Sequence, residues 1–370
     1  MFIPIENAPR DYAWGRRGAI SRLLGRPGTD EVEAELWLGA HHGSPARVTG
    51  DGRSLADIAP ELPFLLKVLA AGSPLSLQAH PNAEQAREGF ERENAAGVAL
   101  DAAQRNYRDP FPKPEIIVAV SDRFEALSGF RPADEARADI EQLVARTGDR
   151  ELVRPLVDRL VDDERIGDAF VWLLEADSNA LAAVGAIERA VRAHPELLPY
   201  AARIAERYPG DPGIAGALLL HYVVLTPGEA LYLPAGNIHA YLDGIGIELM
   251  APSDNVLRGG LTAKHIDVPE LASILDREAR PVPRLEPVTL DEGGLRYAPE
   301  DPAANFSLTL VQEHAAIPPA GAAIALCTDG SFTIRGDESS IDIARGDAIL
   351  ATPDEGELRI SGSGSLYLAR

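Results

Sequence analysis

The sequence predicts a mainly β protein: two β-barrel domains, with a helical module inserted into the first. Three observations carry this. Apolar residues alternate, or run in short strand-length blocks, over residues 1–131 and again from near Leu218 to the end. From Ala133 to Tyr208 the apolar period becomes helical, bounded by Arg131-Pro132 and by the turn Tyr208-Pro-Gly-Asp-Pro-Gly213. The length, 370 residues, exceeds one ordinary domain. Since the β pattern resumes after the helices, they interrupt a domain rather than flank one. The expected division is 1–131 with 213–267 for a discontinuous first β domain, 132–212 for the helices and 268–370 for a second β domain.

Taken in order, Ala34 to Ala40 reads as a short strand and Phe64 to Leu69 as an apolar strand broken by Lys67. Leu75 to His80 alternates strictly, which predicts a half-buried strand. Asn82 and Gln85 form a capping box for a helix reaching about Leu100. Glu115 to Val120 and Phe124 to Pro132 are the next strands. The helical module shows apolar stripes at Ile140, Leu143 and Val144; at Leu152, Leu156 and Leu160; at Phe170, Leu173 and Leu174; and at Leu181, Val184, Ile187 and Val191. A short helix from Pro269 to Asp276 leads to the last strands. There, Gly346 to Pro353 echoes the spacing of Gly228 to Pro234 without a following histidine, so a metal-free repeat of the first β domain is expected.

The net charge of −22 argues against a nucleic-acid partner, whose phosphates require a basic surface. It leaves room for a small anionic substrate held by a few local cations. Cys327 is the single cysteine, so neither a disulfide within the chain nor a thiolate zinc site is expected. The first residues lack the basic and apolar blocks of a signal peptide, and the apolar runs are strand-length. A cytoplasmic protein with no membrane partner is the expectation.

The chemistry concentrates in two places. Period two sets Ser76, Gln78 and His80 on one face of their strand, where a polar triplet must meet water, a metal or one another. Gly72, six residues before Gln78, gives the spacing of the first cupin metal motif, with Gln78 and His80 as ligands and Glu84 in the acid position. Glu84 falls in the first turn of a helix, where its charge is already favourable. Glu115 is the better acid: with Lys113 it interrupts an otherwise apolar strand, and a buried carboxylate needs a cation. Gly228-x5-Pro234-x-Gly236-x2-His239-x3-Asp243 fits the second cupin motif in every spacing, with Asp243 in place of asparagine. Gln78, His80, Glu115 and His239 offer two nitrogens and two oxygens, which suit zinc, manganese, iron or nickel. Downstream, Glu248 lies in an apolar strand, and Asp254, Arg258 and Lys264 lie in a glycine-rich segment. Arginine with lysine is a cradle for phosphate, and Lys67 is a third candidate cation. His41 and His42 follow the Trp37 strand and could edge such a site.

These residues resemble type I mannose-6-phosphate isomerase. The likeness is carried by Asp11-Tyr-Ala-Trp-Gly15, Ala34-Glu-Leu-Trp-Leu-Gly39, Leu75-Ser-Leu-Gln-Ala-His-Pro81, Lys113-Pro-Glu115, Phe124-Glu-Ala-Leu-Ser-Gly-Phe-Arg-Pro132, Pro234-Ala-Gly-Asn-Ile-His-Ala-Tyr-Leu242 and Ser253-Asp-Asn-Val-Leu-Arg-Gly-Gly-Leu-Thr-Ala-Lys264. It implies a double cupin with an inserted helical domain and one zinc per chain. It also implies interconversion of mannose 6-phosphate and fructose 6-phosphate. Gln78, His80, Glu115 and His239 correspond to the zinc ligands and Arg258 to the catalytic arginine. Ser76, Lys67, Lys113, Glu248, Asp254 and Lys264 fall at pocket positions. Lys113, Glu248 and Asp254 are the candidates for the proton-shuttling base. A monomer acting on a small sugar phosphate is expected. The alternative is a sugar-phosphate-binding metal cupin without turnover. The sequence departs from the family at Pro112, where bacterial members often have a histidine assigned to ring opening, and at His42, where proline is usual.

Overall fold

The computed structural model describes residues 1–370. The chain is sheet-rich, with several helices between its β segments. Its pivot is the strand His239–Met250. The first half of that strand pairs with Phe124–Phe130 and Gln78–Ala79. The second half pairs with Leu65–Ala71 and Glu115–Ala119. The change of partners falls at Gly244, with φ of +122°. A Cβ there would lie 2.7 Å from the Phe124 Cα, so only glycine lets the strand turn between its two sets of neighbours. Glu35–Leu38, Leu220–Leu225, Ala230–Leu233 and Leu257–Arg258 complete a nine-stranded sheet.

Five helices, from Ala133–Ala145 to Pro199–Arg207, lie between Phe124–Phe130 and Leu220–Leu225, which pair directly with each other. They pack on the sheet through Leu77, Ala79, Leu127, Ile238, Ala240 and Leu242, which share one buried core with helical Ile140, Phe170 and Ile187. Alternation then sends Ser76, Gln78, His239 and Tyr241 to the opposite face. A second sheet of ten strands covers another flank, and Leu66, Val68, Ile247 and Leu249 meet Leu326, Leu350 and Tyr367 across that interface. Alternation again turns Lys67 and Glu248 the other way. The functional residues thus occupy the one face that neither the helices nor the second sheet covers.

Several expectations need correction. The capping box of Asn82 and Gln85 is present, but the helix is Ala83–Ala95, stopped by Gly97 at φ of +72°. Leu152 and Leu181 are exposed. Spacings of three and four drift around the helix by about 40–60° per step, and Val153 and Ala180 hold the buried positions instead. The alternating segment 75–80 forms a ladder only at Gln78–Ala79. Phe2–Glu6 pairs with Ala348–Ala351 and with Arg47–Val48, so two strands from residues 1–131 lie in the ten-stranded sheet. No single helix is long and apolar enough to cross a membrane. The bent pair Ile166–Glu175 and Ser178–Ala193 meets at 100° and buries its apolar face in the core.

One buried carboxylate ties the helices to the sheet. Glu125 accepts hydrogen bonds from Arg123 at 2.7 Å, from the Tyr222 hydroxyl at 2.8 Å and from Arg203 of the last helix. Burial opposes its charge, but Arg123 and Arg203 outweigh that and hold its carboxyl below the usual range. A carboxyl depressed in the folded state adds stability above its unfolded pKa, and that stability is lost as pH falls through the folded value. Glu125→Gln should therefore lower the thermal midpoint at pH 7 and flatten its decline between about pH 5 and pH 3. A parallel acid limb in both proteins would refute this.

Candidate metal and substrate site

His80, Glu115 and His239 come from three different strand segments and meet with their ligand atoms within 4.8 Å of one another. All three are buried. The two rings are oriented from behind. His80 Nδ1 lies 2.8 Å from the Asn255 carbonyl and His239 Nδ1 lies 3.0 Å from the Asn237 carbonyl. A carbonyl only accepts, so each Nδ1 carries the proton and each Nε2 presents a lone pair. Those lone pairs face the Glu115 carboxylate at 3.4 and 3.5 Å. Both Nε2 atoms and Glu115 Oε2 are buried without a hydrogen-bond partner. Three acceptors aimed at one point need a cation between them. Burial, then Lys113, pushes His80 down to about 4, which keeps it neutral and ready to ligate. Burial opposes ionisation of Glu115, yet Lys113 at 2.9 Å holds its carboxyl well below the usual range.

Gln78 is the register partner of both His239 and Arg258, so its side chain stands between the metal-capable cluster and the arginine. Asp243, last in the second motif's spacing, instead pairs with Arg16 at the surface. Glu84 is exposed in the first turn of its helix.

A cavity of about 1280 Å³ opens over this face. Glu115, Gln78, Ser76, Lys67, Lys113, Glu248, Asp254, Arg258 and Lys264 all line it. On one wall Lys67 Nζ lies 3.2 Å from Glu248, 3.8 Å from Glu35 and 4.9 Å from the centre of the Trp37 ring. Burial works against the Lys67 ammonium, but Glu35 and Glu248 prevail and raise its pKa. Burial raises Glu248, and only Lys67 and Lys113 oppose it.

On another wall His41 is buried, and its Nε2 lies 3.4 Å from Asp254. Its Nδ1 accepts from the Gly43 N–H at 3.1 Å, so Nε2 carries the proton and donates to the carboxylate. His42 lies 3.5 Å from the other Asp254 oxygen. His41 lines the cavity, whereas His42 is exposed and adjoins it only through Asp254. Burial opposes the Asp254 charge, but the His41 hydrogen bond and the neighbouring cations lower its pKa.

The third wall is cationic. Burial and Arg108 lower the pKa of Arg258, and burial, Arg258 and Arg108 lower that of Lys264. These three form no ion pair with any carboxylate, which marks a place for an anion. Arg108 was missed at the sequence level. It lies outside every motif, in a proline-rich loop, and its backbone N–H is held at 2.7 Å by Asn255 Oδ1. The alternation of charge with proline in Arg108-Asp-Pro-Phe-Pro-Lys113 was the available signal. Asn255 both anchors that loop and orients His80.

Buried lone pairs converging beside a cation-lined cavity define a metal-dependent enzyme acting on an anionic substrate. The family profile described as "Phosphomannose isomerase type I, catalytic domain" matches residues 49–133. The chain is 36% identical to mannose-6-phosphate isomerase of Salmonella typhimurium and 35% identical to that of Escherichia coli K12, in each case over 97% of both chains. Its backbone matches crystal structures of the Salmonella typhimurium phosphomannose isomerase K86A mutant and of zinc-bound mannose 6-phosphate isomerase. Their TM-scores are 0.89 and 0.88, each at 34% identity and covering 100% of this chain and 98% of the other. The chain belongs to the type I mannose-6-phosphate isomerase family.

Proposed function

We infer that the chain is an aldose–ketose isomerase that interconverts mannose 6-phosphate and fructose 6-phosphate with one zinc ion as cofactor. The observation that carries this is the shared cavity: Glu115 and Gln78 beside the buried histidines, two paired carboxylates and an unpaired cation cluster all line it. Family membership favours turnover over silent sugar-phosphate binding.

Gln78, His80, Glu115 and His239 would hold the metal. When bound, zinc would supply Lewis acidity to the sugar's C1 and C2 oxygens. Lys264 and Arg108 would hold the phosphate, with Ser76 and Lys67 on the sugar side. Isomerisation moves a proton from C2 to C1 and another from O2 to O1, through an enediol. Glu248 suits the carbon-bound proton, because burial raises its pKa and Lys67 keeps its geometry fixed. Lys113 and Asp254 remain candidates for the same transfer, and Asp254 also faces the cavity as a hydrogen-bonded carboxylate suited to the ring oxygen and anomeric hydroxyl. Arg258 would balance the charge that grows on the enediolate oxygens.

Two antiparallel sheets and a strand that changes partners at Gly244 support a double cupin of two jelly rolls. Residues 1–131 with 213–267, 132–212 and 268–370 remain the proposed domains, with strands Phe2–Glu6 and Arg47–Val48 transferred to the last.

The test is a coupled assay on mannose 6-phosphate in tritiated water, with and without chelator. Turnover that stops on chelation, returns with zinc and carries solvent tritium into product is expected. Turnover without any incorporation would favour hydride transfer and overturn the enediol route. Sugar-phosphate binding without turnover would overturn the enzyme.

A further inference from the structure

The loop carrying Lys264 does not hold itself. It leaves the strand Leu257–Arg258 through Gly259 and Gly260, and then takes Leu261 through φ of +55°. Only one other non-glycine residue in the chain, Ala176, has a positive φ. A leucine in the left-handed region needs outside support. Two supports are visible. Its side chain is 1% exposed, sunk in the core beneath the helical module. Its backbone N–H donates to Asp211 Oδ1 at 2.9 Å, and the next N–H, of Thr262, donates to Asp211 Oδ2 at 3.3 Å. One carboxylate thus grips two successive amides, as an anion does in a backbone nest. Asp211 is itself fixed by the Gly213 N–H at 2.7 Å. Glycine is required at 213, because an added Cβ would come within 2.9 Å of both Asp211 Oδ1 and the Leu261 side chain. Beyond the grip, Thr262 Oγ1 accepts from the Lys264 N–H at 3.1 Å and carries the order on to the cation.

Asp211 belongs to the turn by which the chain leaves the helices, and it lines the same cavity as Arg258 and Lys264. Nearby, the Tyr208 hydroxyl donates to the Pro74 carbonyl at 2.7 Å and fixes that turn to the segment leading to Ser76 and Gln78. We propose that Asp211 is a positioning residue for the substrate's phosphate end, and that the exit of the helical module sets the geometry of the Arg258–Lys264 loop. This rests on reading the cation cluster as the phosphate holder. Asp211 itself touches no substrate. It acts through the backbone of Leu261 and Thr262.

The test uses the zinc-loaded full chain as wild type, Asp211→Ala, Asp211→Asn, Lys264→Ala and the Asp211→Ala/Lys264→Ala double variant. Inorganic phosphate binding is measured by calorimetry, with kcat, KM and zinc content alongside. Asp211→Ala should weaken phosphate binding and raise KM together by about tenfold or more, since a small misplacement of a binding group is costly. Zinc content should hold, and kcat should change less than KM. Asp211→Asn keeps a carbonyl oxygen for the Leu261 N–H and should recover most of the loss. In the Lys264→Ala background the further loss should be smaller than in wild type, as coupled groups require. If Asp211→Ala lowers thermal stability or kcat but leaves KM and phosphate binding at wild-type values, the residue is merely structural and the proposal falls. Should that variant not fold, Asp211→Glu displaces the carboxylate by one methylene and takes its place, and wild-type phosphate binding in it overturns the proposal. Unchanged phosphate binding in Lys264→Ala would instead overturn the cation reading beneath it.

Discussion

A His239→Ala enzyme is expected to be isolated without zinc and with turnover below about one-hundredth of wild type, yet folded. Loss of a residue that merely orients a metal ligand costs about 10–100-fold in affinity or activity, and loss of the ligand itself should exceed that. The fold should survive for a specific reason. Without a metal, the Nε2 lone pairs of His80 and His239 point at the Glu115 carboxylate from 3.4 and 3.5 Å, and only Lys113, 2.9 Å from that carboxylate, offsets the repulsion. Removing one ring relieves part of it, while strand His239–Met250 keeps its pairing with four neighbours. Metal binding to the native state alone raises its stability by mass action. A chelator should therefore lower the thermal midpoint of wild type and leave that of His239→Ala unmoved. Metal analysis, the coupled assay and melting with and without chelator check each part. A His239→Ala protein with a full complement of zinc would remove this histidine from the ligand set.

The metal-capable residues were legible because their spacing is imposed by strand geometry. His80 must close its strand and His239 open one at a fixed distance from a turn, and Gly72, Gly228 and Gly236 mark those turns. Glu115 was legible as a charge in an apolar run. Ligand orientation was not. It depends on the carbonyls of Asn237 and Asn255, and a backbone acceptor leaves no trace in residue type. The helical insertion was visible as a change of period, but the exposure of Leu152 and Leu181 was not, because an apolar stripe defines a face only to within a turn or so. The placing of Phe2–Glu6 was beyond local pattern altogether. Alternation says that a strand has a buried side, not which of two sheets it joins. Arg108 shows the same limit at the site, since its proximity to Arg258 and Lys264 arises only when the Asn255 clamp folds its loop back.

Arg258→Ala should cut kcat by about 10²–10³ while leaving zinc content intact, the loss typical of removing one donor aimed at developing oxyanion charge. Arg258 is paired with Gln78, and Gln78 with His239, so the guanidinium sits one strand beyond a residue that itself adjoins the metal-capable cluster. It has no carboxylate partner to occupy it, and burial with Arg108 makes its charge costly in the free enzyme. A cation so placed gains most when negative charge appears beside the metal, which happens at the enediolate and not in the bound sugar. Transition-state stabilisation of that kind lowers kcat and kcat/KM together on removal. Lys264→Ala supplies the contrast: an interaction with phosphate is the same in ground and transition states, so its loss should raise KM with little change in kcat. Arg258→Lys should recover only part of the loss, because an ammonium lacks the planar fork of the guanidinium. Zinc content and steady-state kinetics of the three variants decide the matter. If Arg258→Ala loses zinc and kcat in equal measure, the arginine serves the architecture of the Gln78 strand instead of the chemistry.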